Sequence, residues 1–385
     1  MQESKEKSQL SIIYWGTLIS SLGTFTFPGA TVGILTQMNF PLWKIGGVMA
    51  LSRLGTLTGS FMWGDLSDRF DAKKTVIITE AVAFLISALL MISWSFGEQG
   101  FGYFAFFTLL RFVVISIGGP GKNKMVKSLS EKYKKSHFHS AITLNTVTYG
   151  PGVLGSLLGF FAIKYFSFYW VLGFDAFTFI VNGALLLLLV SEKSLVSHPS
   201  PGIFHKLKVY FSHRRLALFD VLLAVPFMGT NVLMSRLSGG IGYRVPLLLA
   251  TFGFGAILSA ALFRWKPSRI SHFFAYFSLF VSFAILRGFR TSFILIAGAV
   301  TLRNISYWYL FNLYTGSFQT KEPGQSVAAL FAARAFVGTL ILGVGEIIIG
   351  IIGDYYSLDL DLAIRASLTF LILILSARIN YVEAT

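Results

Sequence analysis

Gly64-Asp65-Leu66-Ser67-Asp68-Arg69-Phe70-Asp71-Ala72-Lys73-Lys74 lies between two long apolar stretches. A hydrocarbon core does not tolerate charge at this density, so the segment reads as a short water-exposed turn between membrane spans. Its acids and bases are spaced to pair across the ends of the helices it joins.

Working outward, apolar runs of roughly 20 residues recur along the whole chain, each enough to cross a ~30 Å hydrocarbon core. About twelve are expected, at 10–35, 43–63, 75–95, 101–121, 138–163, 167–191, 214–236, 241–263, 271–288, 291–316, 327–352 and 361–380. Gly239, Gly240, Pro246 and Pro267 interrupt the pattern across the seventh to ninth runs. The composition agrees: of 385 residues, 54% are hydrophobic and 13% charged, with a mean hydropathy of +0.69, which is membrane composition. The first run is too long and too weakly flanked for a cleaved signal peptide. The chain has no cysteine, which excludes disulfides and thiolate metal sites.

The net charge of +15 reads as membrane topology and not as nucleic-acid binding. With the N-terminus inside, about threefold more Lys and Arg fall in inside segments than in outside ones. Both termini are therefore expected on the cytoplasmic side of a cell (inner) membrane. The longest polar interval in the middle, Ser191–Arg215, carries Pro199 and Pro201 and divides the chain into halves of about six spans each. The expected fold is all-α and integral to the membrane: twelve transmembrane helices in two pseudo-symmetric six-helix bundles around a central cavity. The bundles are assigned to 1–191 and 214–385, with a cytoplasmic linker at 192–213. The basic loop Lys122–Phe138 reads as a topology anchor in contact with lipid headgroups.

The Gly64–Lys74 string resembles the loop between the second and third helices of the major facilitator superfamily: Gly, three residues, Asp, Arg and a basic cluster. The resemblance implies a gate built from Gly64, Asp68, Arg69 and Lys73, closing when the cytoplasmic side is shut. Asp71 stands where that pattern usually has Gly, and Ala72 where it has a base. The corresponding place in the second half, Leu262–Ile270, keeps Arg264, Lys266 and Arg269 but has no acid. In the fifth span, Thr148-Tyr149-Gly150-Pro151-Gly152-Val153-Leu154-Gly155 is similar to the Gly-Pro motif of the superfamily's antiporters. Gly150 and Pro151 are expected to kink the helix and Gly155 to admit a close neighbour. Arg111 resembles the fourth-helix Arg that antiporters use in proton coupling. The stretch Asp68–Ile77 looks like the branch that includes the enterobactin exporter, and Pro120-Gly121-Lys122 matches a motif of the related lysophospholipid transporters.

Independently of any family, Arg53, Arg111 and Arg303 fall near the middle of their spans, where a charge is costly and functional by default. The nearby acids Asp175 and Glu346 are placed toward the outer side, so the midplane reads as cationic and suited to an anionic group. Asn304, Trp308 and Tyr149 join the three arginines as substrate-binding candidates, since Tyr307-Trp308-Tyr309 is suited to an aromatic or amphiphilic body. Glu80 and Asp220, with Arg111, are the candidates for proton coupling. The six His show no metal-ligand spacing, and no Walker loop or catalytic triad appears, so neither a cofactor nor an enzyme is expected. The reading is of a monomeric secondary transporter, coupled to protons and exporting a small anionic or amphiphilic molecule such as a siderophore or drug. Lysophospholipid flipping is the alternative within transport, and a transport-inactive receptor or scaffold the alternative outside it.

Overall fold

The computed structural model describes residues 2–62, 70–132, 144, 147–148, 150–189, 203–212, 214–262, 269–289, 291–319 and 324–378, and every regular element among them is helical. Fourteen α-helices follow one another among the described residues. They are α1 (Gln2–Gln37), α2 (Leu42–Met62), α3 (Ala72–Ser95), α4 (Phe101–Lys132), α5 (Pro151–Tyr165), α6 (Phe168–Leu187) and α7 (Ile203–Ser212). Then come α8 (Arg214–Ala224), α9 (Thr230–Leu237), α10 (Arg244–Leu262), α11 (Arg269–Gly288), α12 (Phe293–Gln319), α13 (Gly324–Tyr355) and α14 (Leu358–Arg378). The twelve expected spans correspond in order to α1–α6, to α8 and α9 as two halves of one span, and to α10–α14. The short α7 lies where a linker was expected.

Burial is inverted relative to a water-soluble protein. The largest fully buried side chains are Arg111 and Arg303, while Leu187 is 65% and Ile294 81% exposed. On α3 the exposed residues Ile78, Val82, Leu85, Leu89 and Ile92 form one apolar stripe at helical spacing, as a lipid-facing helix requires. Among the described residues, six helical stretches are long and apolar enough to cross a bilayer, including Ala72–Ser95 and Ala333–Tyr355.

By contacts the chain divides into two units, Met1–Ile34 with Val48–Ser200, and Leu35–Gly47 with Pro201–Thr385. In the first, α3 packs between α4 and α6. Without hydrophobic drive between helices in lipid, close approach depends on small residues. Gly55 and Gly59 of α2 sit against the backbone of α4, where a Cβ on Gly59 would overlap the carbonyl oxygen of Val113. Gly155 and Gly159 let α5 lie against α1 at Leu22, Thr26 and Ala30. Gly150 has helical φ and ψ, and Pro151 opens α5, where its missing N–H leaves no helical partner unsatisfied. At one end Leu10, Ile13, Val76, Val126 and Leu186 form an apolar core, and toward the other Phe27, Trp94, Phe104 and Phe168 pack ring against ring.

In the second unit, α7 packs on α13 through Tyr210, Ala333 and Val337. Gly255 of α10 lies against the backbone of Asn304 in α12. The start of α2 belongs to this unit. Its first amides, on Leu42 and Trp43, donate to the Asp354 carboxylate at 2.9 and 3.2 Å, a charge suited to a helix N-terminus.

These contacts set opposite expectations for two glycines. Gly59→Val is expected to destabilise by about 1–3 kcal/mol through overpacking. Gly298→Ala in α12, where an added Cβ meets nothing within 4 Å, is expected to be neutral or to stabilise by up to ~1 kcal/mol. Melting of the two variants in detergent checks both.

Candidate functional site

Arg111, about three turns into α4, projects into the first unit, where it is 0% exposed. Asp175, in the middle of α6, takes it in a two-pronged ion pair, from Nε at 2.8 Å and Nη2 at 2.5 Å. Ser87 of α3 donates to the same carboxylate at 2.9 Å, and the rings of Phe27, Phe112 and Phe179 surround the guanidinium at 4.4, 5.0 and 5.6 Å. The arrangement meets what a charge buried in an apolar interior requires, an opposite charge with its hydrogen bonds largely filled. The cationic midplane expected from the sequence is therefore corrected at this point: Asp175 lies deep enough to neutralise Arg111.

Glu80 is also buried, on α3, and also paired. Lys122 of α4 reaches it at 2.9 Å, and Ser20 of α1 donates to it at 3.3 Å. Because α3 begins at Ala72, Glu80 lies more than two turns inside the helix and beyond the positive end of its dipole. The cap of α3 is Asp71, which accepts from the Lys74 amide at 2.9 Å. Lys73 turns to the end of α6 and donates to the carbonyls of Leu189 and Leu187 at 2.5 and 3.4 Å, a cation at a helix C-terminus. Gly64, Asp68, Arg69 and Tyr149, and the side chain of Asp220, lie outside the described residues. Arg53 is half-buried at the middle of α2.

The second unit is built around a break. The seventh span stops at Ala224, makes a 3-10 turn at Val225–Phe227 and resumes at Thr230 after Gly229, whose φ of +63° is left-handed. A side chain on Gly229 would also strike Ile349. A break frees backbone groups that lipid cannot satisfy, and charged side chains take them here. Arg365 of α14 donates to the Pro226 carbonyl at 2.8 Å. Glu346 of α13, 0% exposed, accepts from the amides of Asn231 and Val232 at 3.2 and 3.4 Å and from the Asn231 side chain at 2.7 Å. Asp361 pairs with Arg365 at 2.8 Å and with Arg236 at 3.5 Å.

The turn carries Phe227 onto Arg303 of α12, with the guanidinium 4.7 Å from the ring centre. Phe227 meets Tyr307 at 4.4 Å, and Tyr307, Trp308, Phe252 and Phe311 continue as one aromatic cluster. Arg334 of α13 lies over Phe311 at 4.2 Å, at the far side of the cluster. Arg303 is 0% exposed. Its acceptor is the Asn304 amide oxygen, at 3.3 and 3.4 Å, while Asn304 itself donates to Thr251 at 2.9 Å. Nη1 of Arg303 and the indole nitrogen of Trp308 have no hydrogen-bond partner, and no carboxylate among the described residues forms an ion pair with Arg303.

The units differ at matching positions. Arg303 stands ten residues past Phe293 of α12, as Arg111 stands ten past Phe101 of α4. Seven residues past the start of α6 is Asp175, while seven past the start of α14 is Arg365. Where the first unit supplies a carboxylate, the second supplies another guanidinium. Phe227, Glu346, Asp361 and Arg365 were not singled out as site residues from the sequence. The legible signal was the set of charges inside apolar runs, read without pairing them.

Asp175→Asn leaves Arg111 buried without a counter-charge and is expected to destabilise by about 3–5 kcal/mol. Arg111→Met combined with Asp175→Leu is expected to recover most of that loss. Unfolding in detergent compares the single and double variants.

Residues 13–346 match the sequence profile of the Major Facilitator Superfamily. None of the curated proteins matches the chain by sequence. Among solved structures, the nucleoside transporter NupG shares the fold with a TM-score of 0.75 and 11% identity, over 95% of this chain and 97% of that one. The D-xylose-proton symporter gives 0.66 at 12% identity, over 95% and 96%. The human organic anion transporter MFSD10 gives 0.63 at 13% identity, over 96% and 99%. At such identities the likeness shows the fold alone, whereas the profile spans most of the sequence. The chain belongs to the Major Facilitator Superfamily, as an integral multi-pass secondary transporter and not an enzyme.

Proposed function

We propose that this transporter carries a small organic anion with an aromatic or amphiphilic body, bound in the second unit at Arg303. The observation that carries the reading is Arg303 itself, a wholly buried guanidinium with one orphan nitrogen and, unlike Arg111, no ion-paired carboxylate among the described residues. A charge so placed favours an anionic ligand that supplies the missing partner. Trp308 adds a second unpartnered donor, and Phe252, Tyr307 and Phe311 add ring faces for stacking. Arg111 has its own carboxylate and is assigned to holding the first unit together.

Direction and coupling are part of the same proposal. The Gly150-Pro151 sequence resembles the antiporter motif, which supports export in exchange for protons, with both termini in the cytoplasm. Siderophore-like catecholates and drug-like aromatic acids have the required chemistry.

The test is thermal stabilisation of the purified protein by 2,3-dihydroxybenzoate, lysophosphatidylglycerol and ethidium. A ligand that binds only the native state at about 100 times its Kd adds about 2.7 kcal/mol of stability. The aromatic acid is expected to raise the melting temperature of the native chain, and Arg303→Met to remove the shift. Stabilisation by ethidium alone would overturn the anionic reading. Stabilisation by the lysolipid alone would replace it with lipid transport.

A further inference from the structure

In the first unit, α6 carries a surface groove of about 350 Å³, lined by Ser167, Tyr169, Trp170, Gly173, Phe174 and Phe177. Trp170, Gly173, Phe174 and Phe177 recur at helical spacing and form one stripe along the helix. Gly173 is the floor of the groove. A Cβ on it would meet nothing within 4 Å, so no described residue covers the stripe there. Tyr169, Trp170 and Phe177 stand exposed around it. In a chain that spans the bilayer, such a surface faces hydrocarbon.

The groove starts at the membrane boundary, because Ser167 lies in the short turn between α5 and α6. Tyr165, Phe166, Tyr169 and Trp170 surround that turn as an interfacial aromatic belt, and Phe166 packs on Trp170 at 5.7 Å. From Ser167 to Phe177 the helix rises ~15 Å, half of the ~30 Å hydrocarbon core. The groove therefore runs from the boundary to the midplane, the depth that one acyl chain of one leaflet occupies. Lys164, in the last turn of α5, lies one turn before Ser167 at the same boundary. Its ammonium sits over the rings of Phe160 and Tyr165 at 5.4 and 4.9 Å.

We propose that this groove is a binding site for an anionic phospholipid, with one acyl chain lying along α6 over Gly173 and the phosphate held by Lys164. Hydrocarbon packs into the groove whatever headgroup it carries, so selection among lipids rests on the lysine. The same charge argues against a second copy of the chain as the occupant. A two-fold pair through this stripe would bring Lys164 toward its own copy at the same depth, like charge toward like. A phosphate meets it with the opposite charge. The site lies in the first unit, apart from Arg303, and stands whatever the transported molecule is.

Tryptophan quenching in phosphatidylcholine vesicles tests the site, with a minor fraction of brominated phosphatidylglycerol or, in parallel, of brominated phosphatidylcholine. Each background is measured with and without Trp170→Phe, and the quenching lost with Trp170 reports this groove. There the native chain is expected to prefer phosphatidylglycerol about fivefold, the effect of one lysine at a membrane surface. Lys164→Gln is expected to bring the preference close to unity. Gly173→Leu, which fills the groove, is expected to do the same and to melt like the native chain, since the added side chain enters open space. Equal quenching by the two lipids in the native chain, or a preference that survives either substitution, would overturn the proposal. A native dimer that Gly173→Leu converts to monomer would overturn it too, and assign the groove to a second copy. If Gly173→Leu does not fold, Lys164→Gln decides alone.

Discussion

A guanidinium withdrawn from water needs an opposite charge and filled hydrogen bonds, and both units of this transporter are organised by that requirement. In the first unit the opposite charge is supplied internally, although Nη1 of Arg111, like that of Arg303, has no hydrogen-bond partner. Arg111 and Asp175 join α4 to α6, Ser87 brings in α3, and the three surrounding rings exclude lipid and water from the pair. The same carboxylate lies where Gly23 lets α1 approach, since a Cβ there would meet Asp175 and Thr178. One ion pair thus fixes the mutual placement of four helices. In the second unit the corresponding arginine, Arg303, forms no ion pair among the described residues and takes the Asn304 amide oxygen instead.

Much of this fold was legible in the sequence because the bilayer leaves few choices. Length and apolarity identify spans, and α1 to α4 and α6 overlap the apolar runs that predict them, while most of the first half of the 138–163 run lies outside the described residues. The seventh span was harder to read. Pro226 and Gly229 mark its interruption, yet the apolar pattern runs on through them, so 214–236 read as one helix. The break exists because Glu346 and Arg365, more than a hundred residues away, satisfy its ends. A local pattern carries no trace of that. A similar limit applies to the start of α3, where Asp71 caps the helix although it looked like a mere departure from a family pattern.

The site was legible in its members and not in its pairings. Arg111, Arg303, Asn304 and Trp308 stood out as polar groups in apolar runs, and all four are buried or half-buried. Asp175 was read as lying toward one face and Arg111 at the centre. Counted from the helix starts the two differ in depth by only ~4.5 Å at 1.5 Å per residue, which an arginine side chain spans easily. Depth along a helix tolerates errors of a turn, and long charged side chains remove what remains. The rotation of each helix about its axis decides which neighbour a charge meets, and it depends on packing against neighbours that the sequence does not list.

The helix break and the pairing of charges in the second unit are two aspects of one constraint. A break inside the bilayer is admissible only if its freed carbonyls and amides are taken by the protein. In the second unit the carbonyl side takes Arg365 and the amide side takes Glu346. Arg365 then needs Asp361, which also serves Arg236. Among the described residues, Glu346 and Asp361 are thereby committed to backbone groups and to other arginines, and neither forms an ion pair with Arg303. A continuous seventh helix would bond these backbone groups within itself and leave Glu346 and Arg365 without them. The irregular turn is therefore held at both ends by charged side chains from other helices, and it is what lays the Phe227 ring on Arg303.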